Sequence, residues 1–387
     1  MFLGVATGSS LPPSNDLGGA SFVLDFLRGP LDPSLTFTRS TAGWRVNENG
    51  IHETIGANTA RFDCDPGTHE RLGLLMEPVR TNSLLYARDL TQIAWVKTNM
   101  SIALDAIGID AVSNSASTAT ATAGNATILQ SLVLAAASRS YSVYVRRKTG
   151  VGSVEITRNG GTSWTDVTSS VRTNSWTRVS IKNTSVLNPV CGFRLGTNGD
   201  AIYVDMNQDE DEEDVTSPIS TTTIAVTRDH DYMAVKPADF AAAKFNPLEG
   251  TVVLVFATAN GNAGGDYFMY CENEDSPNSL GIYKNVGDNL IQWTNTNSVL
   301  QEALGAGGTL SSIVTHKVAA RWKKDFFGFS IDGGAVLTDI SGTMSENVNS
   351  LVFGGGFVSG ANTFAWLKKL TYFPSALNNA ALQTLSA

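Results

Sequence analysis

The chain has 387 residues, too many for one ordinary core, so two or three domains are expected. Its formal net charge of −9 argues against a nucleic-acid partner or an anionic membrane, both of which need clustered Lys and Arg. Charged residues are only 16% of the chain, and with abundant Gly, Ser, Thr and Asn this suits a β-rich protein better than a helical cytosolic enzyme.

Residues 1–20 are rich in Gly, Ser and Pro and predict an extended arm. No basic stretch leads into an apolar core, so no signal peptide is expected. No apolar run reaches the roughly 20 residues that span a bilayer, so no membrane insertion is expected. Ser21–Phe26 is a strand candidate, and Asn47-Glu48-Asn49-Gly50 is a hairpin turn, because Asn-Gly tolerates positive φ. Period-2 patterning then runs through 140–146, 154–157, 176–182 and 201–206, the spacing of an antiparallel sandwich. Residues 229–245 read as a connection. Thr251–Phe256 is apolar on both faces, as a central strand requires. Strands follow at 280–284, 290–294, 317–322, 327–331, 351–354 and 364–373. Asn378 is placed to cap a short helix ending at Leu385, with Leu377 and Leu382 as its hydrophobic staple.

Catalytic patterns are absent. His52, His69, His230 and His316 lie in no nucleophile or metalloprotease setting and are expected to be structural or solvated. Glu272 and Glu274 are the closest approach to a paired-carboxylate site, but Asp275-Ser276-Pro277 turns the chain at once, so they read as a loop. Cys64, Cys191 and Cys271 are odd in number and lack a C-x-x-C spacing, which predicts buried thiols. Asp205, Asn207, Asp209 and Asp211 begin like a calcium loop, but Glu210 stands where Gly is needed and Thr216 where Glu is needed. A solvated acidic loop is expected, with weak Ca²⁺ binding as the alternative. No cofactor and no catalysis are expected.

Saccharide contact is the chemistry that remains. Sugars stack their C–H faces on aromatic rings while amides, carboxylates and arginines take the hydroxyls. The candidates are Trp164, which follows a Gly-Gly turn, then Tyr144 and Tyr203, which oppose the apolar faces of their strands, and Tyr267, Tyr270 and Trp293. Trp95, Trp176, Trp322 and Trp366 fit strand patterns and are expected in the core. Trp164 is the preferred single residue.

The stretch Leu72-Gly73-Leu74-Leu75-Met76-Glu77-Pro78-Val79-Arg80-Thr81-Asn82 resembles a "GLLxExxRTN" signature of bacteriophage virion proteins. Phe37-Thr38-Arg39-Ser40-Thr41, Asn58-Thr59-Ala60-Arg61-Phe62, Ser217-Pro218-Ile219-Ser220-Thr221 and Val226-Thr227-Arg228 are similar to its companion stretches. The resemblance implies an all-β protein: an N-terminal β arm and attachment region over 1–82, a carbohydrate-binding-module-like antiparallel β-sandwich over 83–228, and a laminin-G or concanavalin-like jelly roll over 229–387. It further implies a head or tail fibre, spike or decoration subunit on the virion surface, attached to other virion proteins through its N-terminal region. A homotrimer and contact with host-surface glycans are implied too. A structural cement protein and a glycan-degrading spike are the alternatives. Glu77 and Arg80, the charges beside the apolar run, are expected to fix the junction by hydrogen bonds, Arg80 through its planar fork.

Overall fold

The fold comes from a computed structural model, which describes all residues except 1–18, 236–244, 259–265, 273–277, 286–288, 307–309, 311–312, 347, 349 and 355–362. The arm expected over 1–20 therefore lies almost wholly outside the described residues. Regular secondary structure among the described residues is almost entirely strand, arranged in antiparallel sheets, with one α-helix of eight residues at Asn379–Ser386. Asn378 caps that helix through a bond from the Ala381 amide to its side chain (2.9 Å).

One sandwich is built from both ends of the chain. Its eight-stranded sheet runs 337–339, 327–331, 315–323, 249–258, 365–373, 71–76 and 62–64, with Phe22–Asp25 also paired to 365–373. Its seven-stranded sheet runs 35–38, 232–235, 350–353, 266–272, 279–284, 290–296 and 299–306. Leu24, Phe37, Phe62, Leu74 and Met76 share one core with Leu254, Phe256, Phe268, Phe353 and Leu367. Residues 21–82 thus do not form a region apart from 229–387: they supply strands to both of its sheets. The expected connection over 229–245 likewise contains a strand, Tyr232–Val235, whose Met233 and Val235 enter the core.

Residues 83–225 form a second sandwich. Strands 177–186, 137–149, 201–211, 116–121 and 100–106 make one sheet, and 165–166, 154–157, 190–195, 126–131 and 96–98 the other. Tyr141, Val143, Val145, Ile156, Phe193, Ile202 and Val204 fill the core between them, together with the fully buried Trp95. The chain enters and leaves through one paired stalk, Arg80–Asn82 against Val226–Arg228.

The signature stretches meet at this stalk. Gly73 has φ +130°, and a Cβ there would come 2.3 Å from the Leu367 carbonyl oxygen, so the strand needs glycine at this point. Glu77 is buried and accepts from Arg61 Nη1 (2.6 Å), Arg228 Nη1 (2.7 Å), and the amide and hydroxyl of Ser217 (both 2.6 Å). Asp231 accepts from Arg39 Nη1 (2.9 Å), from Arg61 Nη2 and from the Glu77 amide (2.8 Å). Asn82 donates to the carbonyls of Asn207 (2.9 Å) and Ile219 (2.8 Å) and accepts from the amides of Leu84 and Asp209. Buried ion pairs therefore bind the stalk to the first sandwich, and the hydrogen bonds of Glu77 to Ser217 and of Asn82 to Asn207 and Ile219 tie it to the second. Arg80 is buried as well, but its fork does not do this work: Nη1 donates to the neighbouring Val79 carbonyl (2.8 Å), and Nε has no partner among the described residues. Arg228 takes the place expected for Arg80, because the antiparallel pairing sets the two arginines opposite each other and Arg228 turns toward Glu77.

This joint predicts acid sensitivity. Burial alone would raise the Glu77 carboxyl, but Arg228, Arg61 and Ser217 overcome it and hold the pKa at about 2, below its ordinary 4.5. Above pH 4.5 the carboxylate is ionised in the folded and unfolded chains alike, and its contribution is complete. As the pH falls from 4.5 toward 2 the unfolded chain takes up the proton first, and the contribution, about 3 kcal/mol, is lost. Urea midpoints at pH 7, 4.5 and 3 should show a drop that Glu77→Gln flattens. An equally steep drop in that variant would assign the acid loss to other carboxylates.

Candidate functional site

Four aromatic rings gather on the seven-stranded sheet. In the register, Tyr267 faces Tyr283, Tyr283 faces Ile291, Tyr270 faces Gly281 and Gly281 faces Trp293. The result is a two-by-two array on the side of the sheet away from the core. Tyr267 and Tyr283 stack with centroids 5.5 Å apart, and Tyr270 and Trp293 stack at 5.4 Å. The two pairs meet edge to face, with Tyr283 4.9 Å and Tyr267 5.6 Å from Trp293. Gly281 makes the array possible: a Cβ there would lie 2.2 Å from Trp293 Cη2 and 2.7 Å from the Met269 carbonyl oxygen. Trp293 is buried by this packing, while the three tyrosines stay half-buried. Burial, and then the neighbouring Tyr283, raises the Tyr267 phenol above its ordinary value, so it stays neutral and able to donate. Asn285 and Asn289 follow at the adjoining turn, half-buried, with the Asn289 amide bonded to the Asn285 side chain (3.0 Å).

Three of the six proposed aromatics, Tyr267, Tyr270 and Trp293, thus come together. Tyr283 was missed. Its signal was the isolated Gly281 two residues earlier in a strand, which marks a close approach by a neighbouring group.

The other three are scattered over the second sandwich. Trp164 is half-buried beside a short edge strand. The Arg194 guanidinium lies 4.7 Å from its ring centroid, held there by two bonds to Glu155 (2.5 and 2.8 Å). Gly161 packs so closely that a Cβ on it would come 2.8 Å from Trp164 Cζ2. Tyr144 is buried rather than open. The hairpin formed by Gly43–Val46 and His52–Ile55 lies over it, with Trp44, Ile109 and Met206 as neighbours and His52 Nε2 3.0 Å from its hydroxyl. Burial, and next the Arg178 charge, push His52 down to about 4, so at neutral pH it is an uncharged member of this contact. Tyr203 is half-buried on the same sheet, beside Arg146 and Trp176. Trp176 and Trp366, expected in the core, are half-buried instead; Trp366 Nε1 donates to Asp63 (2.9 Å).

The acidic run is a strand, not a solvated loop. Asp205, Asn207 and Asp209 are fully buried within Ala201–Asp211, and only Asp211 is exposed. Arg88 holds Asp205 (2.8 Å), Arg158 and Arg139 hold Asp209 (2.8 and 3.2 Å), and Asn207 accepts from the Tyr141 hydroxyl (2.9 Å). These arginines occupy the positions a cation would need. Among the described residues no group of three or more His, Cys, Asp or Glu is arranged to hold a metal ion. Glu272 ends a strand, and Glu274 lies outside the described residues. His230 pairs with Asp229 (2.9 Å) and His316 with Asp332 (2.7 Å). Cys64, Cys191 and Cys271 are buried free thiols.

No protein-family model matches the chain, and no curated protein matches it. Among solved structures it is similar in part to the CBM40 module of a Ruminococcus gnavus IT-sialidase bound to α2,3-sialyllactose. The identity there is 15%, over 38% of this chain and 86% of that one, with a TM-score of 0.33. It is similar at 12% identity to the binding domain of botulinum neurotoxin serotype G, over 37% of this chain and 36% of that one, with a TM-score of 0.30. A Trypanosoma rangeli sialidase matches at 12% identity over 39% of this chain and 24% of that one, with a TM-score of 0.30. Likeness of this degree bears on neither ligand nor activity.

Proposed function

We propose that the chain is a non-enzymatic saccharide-binding protein of a phage particle surface, a fibre, spike or decoration subunit that adheres to host glycans. The observation that supports binding is the four-ring array of Tyr267, Tyr270, Tyr283 and Trp293. Aromatic rings on the outer side of a sheet offer flat apolar surface to sugar C–H faces, and tyrosine hydroxyls can bond the sugar's own hydroxyls. The non-enzymatic reading rests on the lack of any nucleophile or metalloprotease motif around the histidines in the sequence. The virion location rests on the resemblance of the 72–82 stretch and its companions. Attachment to neighbouring virion proteins through the N-terminal region and assembly as a homotrimer belong to the same reading. A single shallow site is weak, and many copies on one particle raise avidity by linking binding events.

The test is a panel of neutral bacterial polysaccharides offered to the full chain, with bound and released sugar both measured. Saturable binding without release of reducing ends is the expected result. New reducing ends would make the chain a degrading spike, and failure to bind any polysaccharide would favour the structural cement role.

A further inference from the structure

A second row of side chains, independent of the four-ring array, crosses the outer face of the sheet formed by 177–186, 137–149, 201–211, 116–121 and 100–106. The register sets it: Arg146 lies opposite Tyr203, Val145 lies opposite Thr177 beside Trp176, and Thr118 continues the row beyond Tyr203. The Arg146 guanidinium carbon is 5.2 Å from the Trp176 ring centroid and 4.6 Å from that of Tyr203. Lys148, two residues on and exposed, places its ammonium 5.2 Å from the Tyr203 centroid. The Thr118 hydroxyl donates to the exposed Asp105 carboxylate (2.5 Å).

The charges in this row are unbalanced. Five other arginines of the sandwich are paired with carboxylates, Arg88 with Asp205, Arg139 and Arg158 with Asp209, Arg147 with Asp200 and Arg194 with Glu155, while Arg172 is exposed and stands apart from any ring among the described residues. Arg178 donates to the Ser142 hydroxyl and the Thr216 carbonyl. Arg146 and Lys148 have neither an ion pair nor a side-chain hydrogen bond among the described residues, and the Nε of Arg146 is buried without a partner. Two unmatched cations therefore stand beside two half-buried rings in a chain that is acidic as a whole.

We propose that this row is a binding site for an acidic saccharide, one whose sugar ring carries a carboxylate. Arg146 and Lys148 receive the carboxylate, Arg146 with its planar donors aimed by the flanking rings. Trp176 and Tyr203 flank and orient the Arg146 guanidinium, and Thr118 and Asp105 lie at the end of the row for the sugar's hydroxyls. Two cations beside an aspartate suit one carboxylate. A nucleic acid would need a longer track of Lys and Arg along its phosphates.

The experiment offers the full chain oligogalacturonic acids of several lengths and the same oligomers with their carboxyls methyl-esterified, by calorimetry at low and moderate salt. Binding of the acid but not the ester, weakened by salt, is expected. Lys148→Ala should lower affinity several-fold, and Arg146→Gln and Tyr203→Ala at least ten-fold. Lys148 is exposed, so its variant keeps the test decisive if Arg146→Gln fails to fold. Equal binding of acid and ester, no binding of any acidic oligomer, or unchanged affinity in Lys148→Ala would each overturn the proposal. So would equally tight binding of a single-stranded oligonucleotide or a polyglutamate peptide. Neutral-saccharide binding at the four-ring array is measured separately, so either site can fail while the other stands.

Discussion

Replacing Glu77 by alanine is expected to lower the stability of the protein by about 3–5 kcal/mol, the range for removing one partner of a buried ion pair. Glu77 sits between Arg61 and Arg228, both buried, and also binds the amide and hydroxyl of Ser217. Without it, two buried guanidinium groups lose their carboxylate acceptor at this point and the Ser217 amide loses its partner. Asp231 remains, but it already serves Arg39 and Arg61. Arg80→Ala is the contrasting variant. Its side chain donates one hydrogen bond, to the Val79 carbonyl, so a loss of about 1 kcal/mol is expected. Urea denaturation of the two variants side by side checks this ordering. If Glu77→Ala cost no more than Arg80→Ala, the buried ion pairs would not be what holds the stalk in place.

The second large effect concerns saccharide affinity. Tyr267→Ala combined with Tyr283→Ala removes one stacked pair of the array and leaves Tyr270 and Trp293 packed over Gly281. Each ring at a contact surface is worth about 1–3 kcal/mol on truncation, so neutral-saccharide affinity should fall at least ten-fold. The rings lie outside the main core, so the variant should fold. Trp164→Ala is expected to change affinity little, because Arg194 covers its ring and Gly161 crowds it. Ten-fold loss in Trp164→Ala with full affinity in the double tyrosine variant would move the site to the second sandwich.

Features set by neighbours in the chain could be read from the sequence. Period-2 patterns placed the strands around 140–146 and 201–206, an apolar run placed the one at 251–256, and Asn378 was readable as a cap because its bond reaches only to Ala381. What could not be read depends on partners far away in sequence. The strands at 22–25 and 35–38 are four residues long, too short to show that they pair with strands more than 190 residues away, and the three-residue strand at 62–64, paired with 71–76, does not show that it joins the same sandwich. The run from Asp205 to Asp209 looks solvated in sequence because nothing local neutralises it; the arginines that do are at 88, 139 and 158. Tyr144 looked free because the hairpin covering it lies some 90 residues upstream. The signature around Glu77 was visible as a resemblance, but its physical content emerged only when Arg39, Arg61, Ser217, Arg228 and Asp231 were seen to converge there.

The central claim, that the four-ring array is the saccharide site, is tested most directly by fluorine NMR of the full chain with fluorinated tryptophan, each of the seven signals assigned by single Trp→Phe variants. A neutral oligosaccharide from the binding panel is added to saturation. The Trp293 resonance is predicted to shift, while Trp95 and Trp322, buried in the two cores, stay in place. A saturating oligosaccharide that leaves Trp293 unmoved, or that shifts Trp164 instead, would contradict the assignment.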